Sequence, residues 1–259
     1  MKEKFYFGSG TAEFGAQQAP SFVGSGAAEG ARASGSHVVI AQGNDGIPAW
    51  KRSLDLFVIF LCLPVLLPLS VGIAIIIKSV SKGPVFFAQE RIGYRGRRFK
   101  CFKFRTMKVG NDVSVHQDHT TILMKSSQPW AKMDGNDPRV VPFGRILRAS
   151  GLDELPQLIN VARGEMSLVG PRPCTPYEFE KYLPWQRERF DGLPGLTGLW
   201  QVSGKNKTTF VEMIQLDIKY VRNASLWLDL KIMLMTFPTL FGQLSDARKN
   251  LKNRKPNKP

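Results

Sequence analysis

Leu54 to Ile77 is an almost uninterrupted apolar run, and no other stretch constrains the chain so tightly. At about 1.5 Å per helical residue it is long enough to cross a hydrocarbon core of about 30 Å. A core helix of a soluble protein rarely stays apolar over this length, so the run belongs in a membrane. Pro64 and Pro68 lie near its middle, and each removes a helix hydrogen bond and bends the axis. Lys51 and Arg52 precede the run, while Lys78, Lys82, Arg91, Arg95, Arg97 and Arg98 follow it. Basic residues gather on the cytoplasmic side of a bilayer, so the pattern favours both ends there. A re-entrant helix-break-helix anchor over residues 51–82, broken at Pro64 and Pro68, satisfies prolines and charges together. The competing arrangement is a bitopic helix with a proline kink.

Around this anchor the chain divides into a leader over residues 1–50, a main domain over 83–245 and a basic tail over 246–259. The leader is rich in Gly, Ala, Ser and Gln with apolar residues scattered singly, too few to offset the entropy of ordering, and it is expected to be disordered. Its first residues lack the apolar core of a cleaved export signal. Cys62, Cys101 and Cys174 are odd in number and widely spaced, which indicates neither a disulfide framework nor a zinc site and fits a reducing compartment. The formal net charge of +15 over 259 residues calls for an anionic partner, and charge alone does not separate nucleic acid, anionic lipid and phosphate-bearing substrates.

Residues 84–92 and 98–105 alternate in the manner of strands around the turn Gly93-Tyr94-Arg95-Gly96, which predicts a β-hairpin. Its interleaved aromatic and basic residues suit stacking on nucleic acid; directly after a membrane segment they suit lipid head groups or phosphates better. The stretch 109–135 reads as a variable loop or short helix, and His116 and His119 there read as a solvated helix face. Thr209 to Val221 has an amphipathic pattern with Val211, Ile214, Ile218 and Val221 on one face. Leu226 to Leu244 is apolar nearly all round, either as a core helix or as one lying in the membrane surface. The fold class is therefore mainly α with a small β-hairpin (α+β), carrying interfacial amphipathic helices.

Against this basic background stands an acidic pair, Asp153-Glu154, within Leu152 to Leu158. The local chemistry permits a helix here with Asp153 as N-cap, Glu154 as first residue and Pro156 in the first turn. Leu155, Leu158, Ile159 and Ala162 would then form its buried stripe, with Asp153 roughly opposite. Arg145 and Arg148 share a helix face just before the pair. After it, Pro171 and Pro173 flank Arg172 and fix the backbone on both sides, so its guanidinium loses little freedom on binding a phosphate. Structurally these arginines could simply pair with the carboxylates; functionally they could bind a phosphate that the carboxylates attack or hold through a metal.

Taken together, Lys51-Arg52 with Asp55, Gly83 to Phe87, Lys103 to Met107, Leu152 to Leu158, Met166 to Pro173 and Pro194 to Gly198 resemble the bacterial sugar transferases, also called monotopic phosphoglycosyl transferases. The resemblance runs from Lys51 to about Leu244. It implies transfer of a sugar 1-phosphate from a UDP-sugar to polyprenyl (undecaprenyl) phosphate with release of UMP, initiating exopolysaccharide or O-antigen-type glycans. It also implies a re-entrant anchor in the bacterial inner membrane, with the catalytic domain on the cytoplasmic face. By position Asp153 matches the family's nucleophile, which forms a covalent phospho-Asp intermediate, and Glu154 its Mg²⁺ ligand. Arg148 and Arg172 match the phosphate-binding arginines; Lys103, Arg105 and Arg145 join them on basicity and motif membership. Two positions depart from the family. Leu67 stands before Pro68 where Ser is frequent, and Gly151 stands two before the nucleophile where Ser is common. The implied partners are UDP-sugar, polyprenyl phosphate and membrane lipid, without nucleic acid, and a homo-oligomer is compatible with the sequence. The alternative function is a non-catalytic basic module docking on membranes or nucleic acid.

Overall fold

The computed structural model describes residues 46–81, 83–107, 114–130, 140, 141, 143–204 and 207–252. The leader expected over 1–50 lies outside them as far as residue 45.

Helix α1, Ala49–Val80, opens the fold. It is long and apolar enough to cross a membrane, and little of its apolar window is buried in the protein. The expected break at Pro64 and Pro68 is no gap in the helix: both prolines lie inside a single helical element, where each loosens the ladder and lets the axis bend. Each proline costs a hydrogen bond, but a long apolar helix keeps enough of its remaining ladder to continue through two such losses. Strands β1 (Phe86–Ile92) and β2 (Arg98–Phe104) form the expected hairpin, antiparallel with Phe86 opposite Phe104 and Ile92 opposite Arg98. Arg95 adopts φ 52° in the turn. Helix α2, Ser114–Lys125, decides the loop-or-helix alternative for its stretch. His119 is half-buried on it, and the side chain of His116 is outside the described residues.

Helix α3 (Gly144–Ser150) leads to the acidic pair, and α4 (Gln157–Arg163) follows it. A short parallel pair, β3 (Ser167–Val169) with β4 (Gly195–Thr197), brackets α5 (Pro176–Glu180) and a 3₁₀ stretch at Pro184–Asp191. Helices α6 (Leu199–Val202), α7 (Phe210–Arg222) and α8 (Leu226–Lys252) complete the chain. Helix α8 therefore continues past the expected start of the tail at residue 246, and Pro238 lies inside it.

Helix α7 begins as its sequence dictates, with Thr209 accepting from the Glu212 amide and Glu212 answering to the Thr209 amide, a reciprocal cap that satisfies two otherwise orphaned donors. Its buried face is Phe210, Met213, Ile214, Asp217 and Ile218, so Val211 lies outside the expected stripe and is exposed. Phe210, Met213, Ile214 and Ile218 join Ile92, Trp130, Tyr182, Phe190 and Trp200 in the largest core among the described residues. Each such side chain contributes about 1.5–3 kcal/mol when fully buried.

The two ends of α1 rest on this same body. At its start, Lys51 donates to the Val169 carbonyl (2.8 Å), the Tyr220 hydroxyl (2.8 Å) and Asp229 (2.6 Å), all buried. Arg52 donates to the carbonyls of Val161 and Ala162, meeting the negative end of α4. Asp55 accepts from Ser167 Oγ and the Leu168 amide, each at 3.0 Å. At its far end, Ile73 and Ile77 pack with Phe104 and Leu147. Between them Phe57, Phe60, Leu61, Val65 and Leu67 are exposed.

Candidate active site

The acidic pair sits in a tight turn. Gly151, at φ 72°, takes the left-handed conformation that ends α3 and is free of a Cβ penalty only in glycine. Leu152–Glu154 then forms a single 3₁₀ turn, and Pro156 becomes the N-cap of α4. Asp153 as helix N-cap is thus corrected: it lies inside the 3₁₀ turn, the N-cap position of α4 falls to Pro156, and Asp153 is buried, 5 % exposed. The departure at Gly151 has a physical reason, since a helix must stop there.

The expected stripe on α4 is half right: Leu155 packs against the cluster of Ile73, Ile77, Phe104 and Leu147, and Leu158 is half-buried, but its other two members turn outward. Ile159 is 46 % exposed and Ala162 is exposed, whereas Gln157, Asn160 and Val161 face inward. Asn160 explains the inversion. Its Oδ1 accepts from the Phe102 amide at 3.1 Å and its Nδ2 donates to the Lys100 carbonyl at 2.7 Å, so it supplies β2 with the partner that a third strand would have given. Two satisfied backbone groups outweigh the burial of one isoleucine side chain.

Glu154 is half-buried and accepts from Lys103 Nζ at 2.9 Å. Strand β2 brings Lys103 to it, and the same face of β2 carries Cys101. The Cys101 thiol is pushed up by burial, while Lys103 and Arg91 draw it down, Glu154 raises it, and Arg172 draws it down. Arg91 in turn reaches the Pro173 carbonyl at 3.3 Å, next to Arg172 in the chain. Arg145 and Arg148 are half-buried on α3, which leads directly into the dyad turn. Arg105 lies beyond Lys103, beside Ser81 at the end of α1. Pro64 and Pro68 lie mid-way along α1, far along the chain from this centre.

Arg172 is held as firmly as its flanking prolines suggest, by groups that sequence reasoning missed. Its Nη1 donates to Glu178 Oε2 at 2.9 Å and its guanidinium lies 5.3 Å from the Trp130 ring centroid. Burial opposes the Glu178 charge, yet Arg172 and Arg91 more than offset it and keep the carboxyl below its ordinary value. Behind Arg172, fully buried Arg189 donates to its carbonyl at 2.6 Å, to the Tyr182 hydroxyl at 2.8 Å and to Asp217. Asp217 also accepts from the Arg172 amide, and burial pushes its carboxyl up to about 6 against the pull of Arg189. The signal for Asp217 was present as a charged residue on the apolar face of an amphipathic helix; nothing local marked Arg189 or Glu178.

Among the described residues no group of three or more His, Cys, Asp and Glu gathers as a metal site. Mg²⁺ keeps several waters and takes one or two carboxylates together with substrate phosphates, so the partly exposed Glu154 beside Asp153 fits such an ion as donor set. Chemically the arrangement offers a buried carboxylate, a second one open to solvent, and cations able to receive a diphosphate.

Comparison with known proteins bears on the same residues. The sequence model of the family described as Bacterial sugar transferase matches residues 47–243. The chain is 41 % identical over 192 residues to the exopolysaccharide production protein ExoY of Rhizobium meliloti, covering 73 % of this chain and 84 % of that protein. It is 43 % identical over 160 residues to the galactosyl transferase CpsE of Streptococcus agalactiae, covering 60 % of this chain and 34 % of CpsE. It is 41 % identical over 201 residues to the UDP-glucose:undecaprenyl-phosphate glucose-1-phosphate transferase of Xanthomonas campestris, covering 74 % of this chain and 39 % of that protein. The chain thus spans most of ExoY and between a third and two fifths of the other two. With the match running from the head of α1 through the dyad turn to α8, the chain belongs to the bacterial sugar transferase family.

Proposed function

We propose that the protein moves a sugar 1-phosphate from a UDP-sugar to polyprenyl phosphate, releasing UMP and initiating exopolysaccharide or O-antigen-type assembly. The observation that carries this reading is the buried Asp153 in the same turn as Glu154, with Lys103 bonded to Glu154 at 2.9 Å. A module that only docked on anions would have no use for a carboxylate pair there.

In the first half-reaction an Asp153 carboxylate oxygen attacks the phosphorus bearing the sugar. An Asp–O–P bond forms, the bond to the bridging diphosphate oxygen breaks, and UMP leaves with that oxygen. In the second, a phosphate oxygen of the acceptor lipid attacks the same phosphorus, and the Asp153 carboxylate is returned. Two displacements replace one difficult transfer. Arg172, held by Glu178 and Arg189, receives phosphate charge with little reorganisation, and Lys103 balances Glu154. Mg²⁺, held by Glu154, would neutralise diphosphate charge when bound.

The membrane reading is a re-entrant anchor in the inner membrane with the catalytic body on the cytoplasmic face. It is supported by the contacts that both ends of α1 make with one body. Interfacial seating of α8 is supported by its outward stripe of Trp227, Leu234, Phe237 and Phe241, with Trp227 81 % exposed. The printed names of the relatives divide between galactosyl and glucose transfer, so the test is UMP release over a panel of UDP-sugars with polyprenyl phosphate and Mg²⁺ present. Wild type is expected to release UMP with at least one of them, and Asp153→Asn, folded by thermal melting, to lose at least 10³-fold. Full activity in that variant sinks the reading.

A further inference from the structure

Four arginines are largely withdrawn from solvent in this body, and three of them are accounted for. Arg172 holds Glu178, Arg189 holds Asp217, and Arg91 holds Gln89 Oε1 at 2.7 Å and the Pro173 carbonyl. Arg91 and Arg189 each leave one buried nitrogen, Nε, without a hydrogen-bond partner, and Arg105 leaves two. It is 6 % exposed, its Nη2 donates to Ser81 Oγ at 3.2 Å, and its Nε and Nη1 are buried with no hydrogen-bond partner. A hydroxyl does not neutralise a guanidinium, and a buried cation lacking an anion is costly. Gly83, at φ 140°, lies against it so closely that a Cβ there would stand 2.2 Å from Nη1. Only glycine allows the backbone to pack this closely against the guanidinium.

Its place in the fold says which anion it awaits. The Arg105 amide donates to the Val85 carbonyl at 2.9 Å, which carries the hairpin ladder one residue past β2 and keeps Arg105 on the face of Cys101 and Lys103. Two residues of strand separate it from Lys103 by about 6.6 Å. Along this face the cations run from Arg91, opposite Phe99, past Lys103 at the dyad, to Arg105 beside the end of α1. One terminus of the series lies in the protein interior and the other where the apolar helix ends, which is where the head group of a membrane-borne substrate arrives.

We infer that Arg105 is the binding group for the phosphomonoester of the acceptor lipid, leaving Arg172 to the donor diphosphate. This rests on the phosphoglycosyl transferase reading above and assigns its second substrate a site. The guanidinium fork matches a phosphate oxygen pair, and binding gives Nε and Nη1 the partners they lack.

The experiment uses the full chain in nanodiscs, comparing wild type, Arg105→Gln and Arg105→Lys. With a UDP-sugar that wild type turns over, UMP burst amplitude is measured without acceptor, and initial rates are measured against polyprenyl phosphate. Retention on phosphatidylglycerol nanodiscs is the control for bulk anionic lipid. We expect the acceptor KM to rise at least tenfold in Arg105→Gln and by less in Arg105→Lys, with the burst surviving and retention unmoved. An acceptor KM within twofold of wild type overturns the assignment. So does loss of the burst in both variants, which makes Arg105 a donor-site or structural group, or a fall in retention that tracks the KM, which makes it a general lipid contact. If wild type gives no burst with any UDP-sugar, the transferase reading fails instead. Equilibrium binding of polyprenyl phosphate to wild type and Arg105→Gln then decides the site by itself, equal affinity overturning it.

Discussion

Arg172 does its work through neighbours that never touch substrate, and Asp217 shows how this can be measured. Its folded carboxyl titrates at about 6 because burial outweighs the attraction of Arg189, whereas an unfolded Asp titrates near 3.9. The folded state therefore binds more protons between about pH 4 and 6, so this group's contribution to stability is complete below pH 4 and is lost as pH rises through 6. Asp217→Asn cannot titrate. The stability difference between wild type and this variant should shift in favour of wild type by about 1.3 kcal/mol as pH falls from 7 to 5, roughly 4 °C in melting temperature for a body of this size. A difference that stays constant over that range would show the Asp217 carboxyl to be ionised throughout. Glu178 offers a second measurement. Glu178→Gln keeps an oxygen for Arg172 but removes the charge that holds it, and should raise the KM for UDP-sugar roughly tenfold, the effect of about 1.4 kcal/mol; an unchanged KM would show that the prolines alone fix Arg172.

Among the elements, the head of α1 is fastened by a buried ion pair. Lys51, Asp229 and Tyr220 satisfy one another, with Tyr220 donating to Asp229 Oδ1 at 2.6 Å. Lys51→Met strands the Asp229 charge and should cost about 3–5 kcal/mol, whereas Lys51→Met with Asp229→Leu should recover most of it. A double variant no more stable than the single one, by thermal melting in detergent, would show that the pair stabilises beyond charge neutralisation. Such pairings mark the limit of what the sequence reveals. The hairpin was legible because Phe99 and Cys101 alternate with polar neighbours and a Gly-rich turn separates the strands. The apolar run and the dyad were equally plain. The α4 stripe misled because Ile159 and Ala162 obey a helical period on the wrong face, and only the position of β2 beside Asn160 reveals the reversal. Lys51 and Arg52 read as charges meant for lipid, yet both are spent on the protein, a use that depends on Asp229 and Val161 more than a hundred residues away.

At the scale of the whole molecule, the decisive geometry is that of α1 against its own catalytic body. Lys51 and Ile77 are 26 positions apart, so along a straight helix they would be separated by about 39 Å, more than a hydrocarbon core of about 30 Å. A bitopic α1 would put them on opposite sides of the bilayer. Yet Lys51 is bonded to Asp229 and Val169, and Ile77 packs with Phe104 and Leu147, all within one body whose surface carries Arg95, Arg98 and Lys100. The re-entrant course proposed above, in which α1 enters and leaves by the same face, lets one body touch both ends. Carrying such charges into hydrocarbon is costly, which supports that reading. The exposed stripe of α8, with Ile159 and Ala162 outward on α4, supplies apolar surface for a body seated on the membrane rather than passing through it. Accessible tags placed at residue 45 and at residue 110 should therefore both be labelled from the cytoplasmic side in inverted vesicles, and neither in intact spheroplasts. Labelling of the two tags from opposite sides would separate the ends of α1 across the bilayer, and with them the contacts on which the re-entrant reading depends.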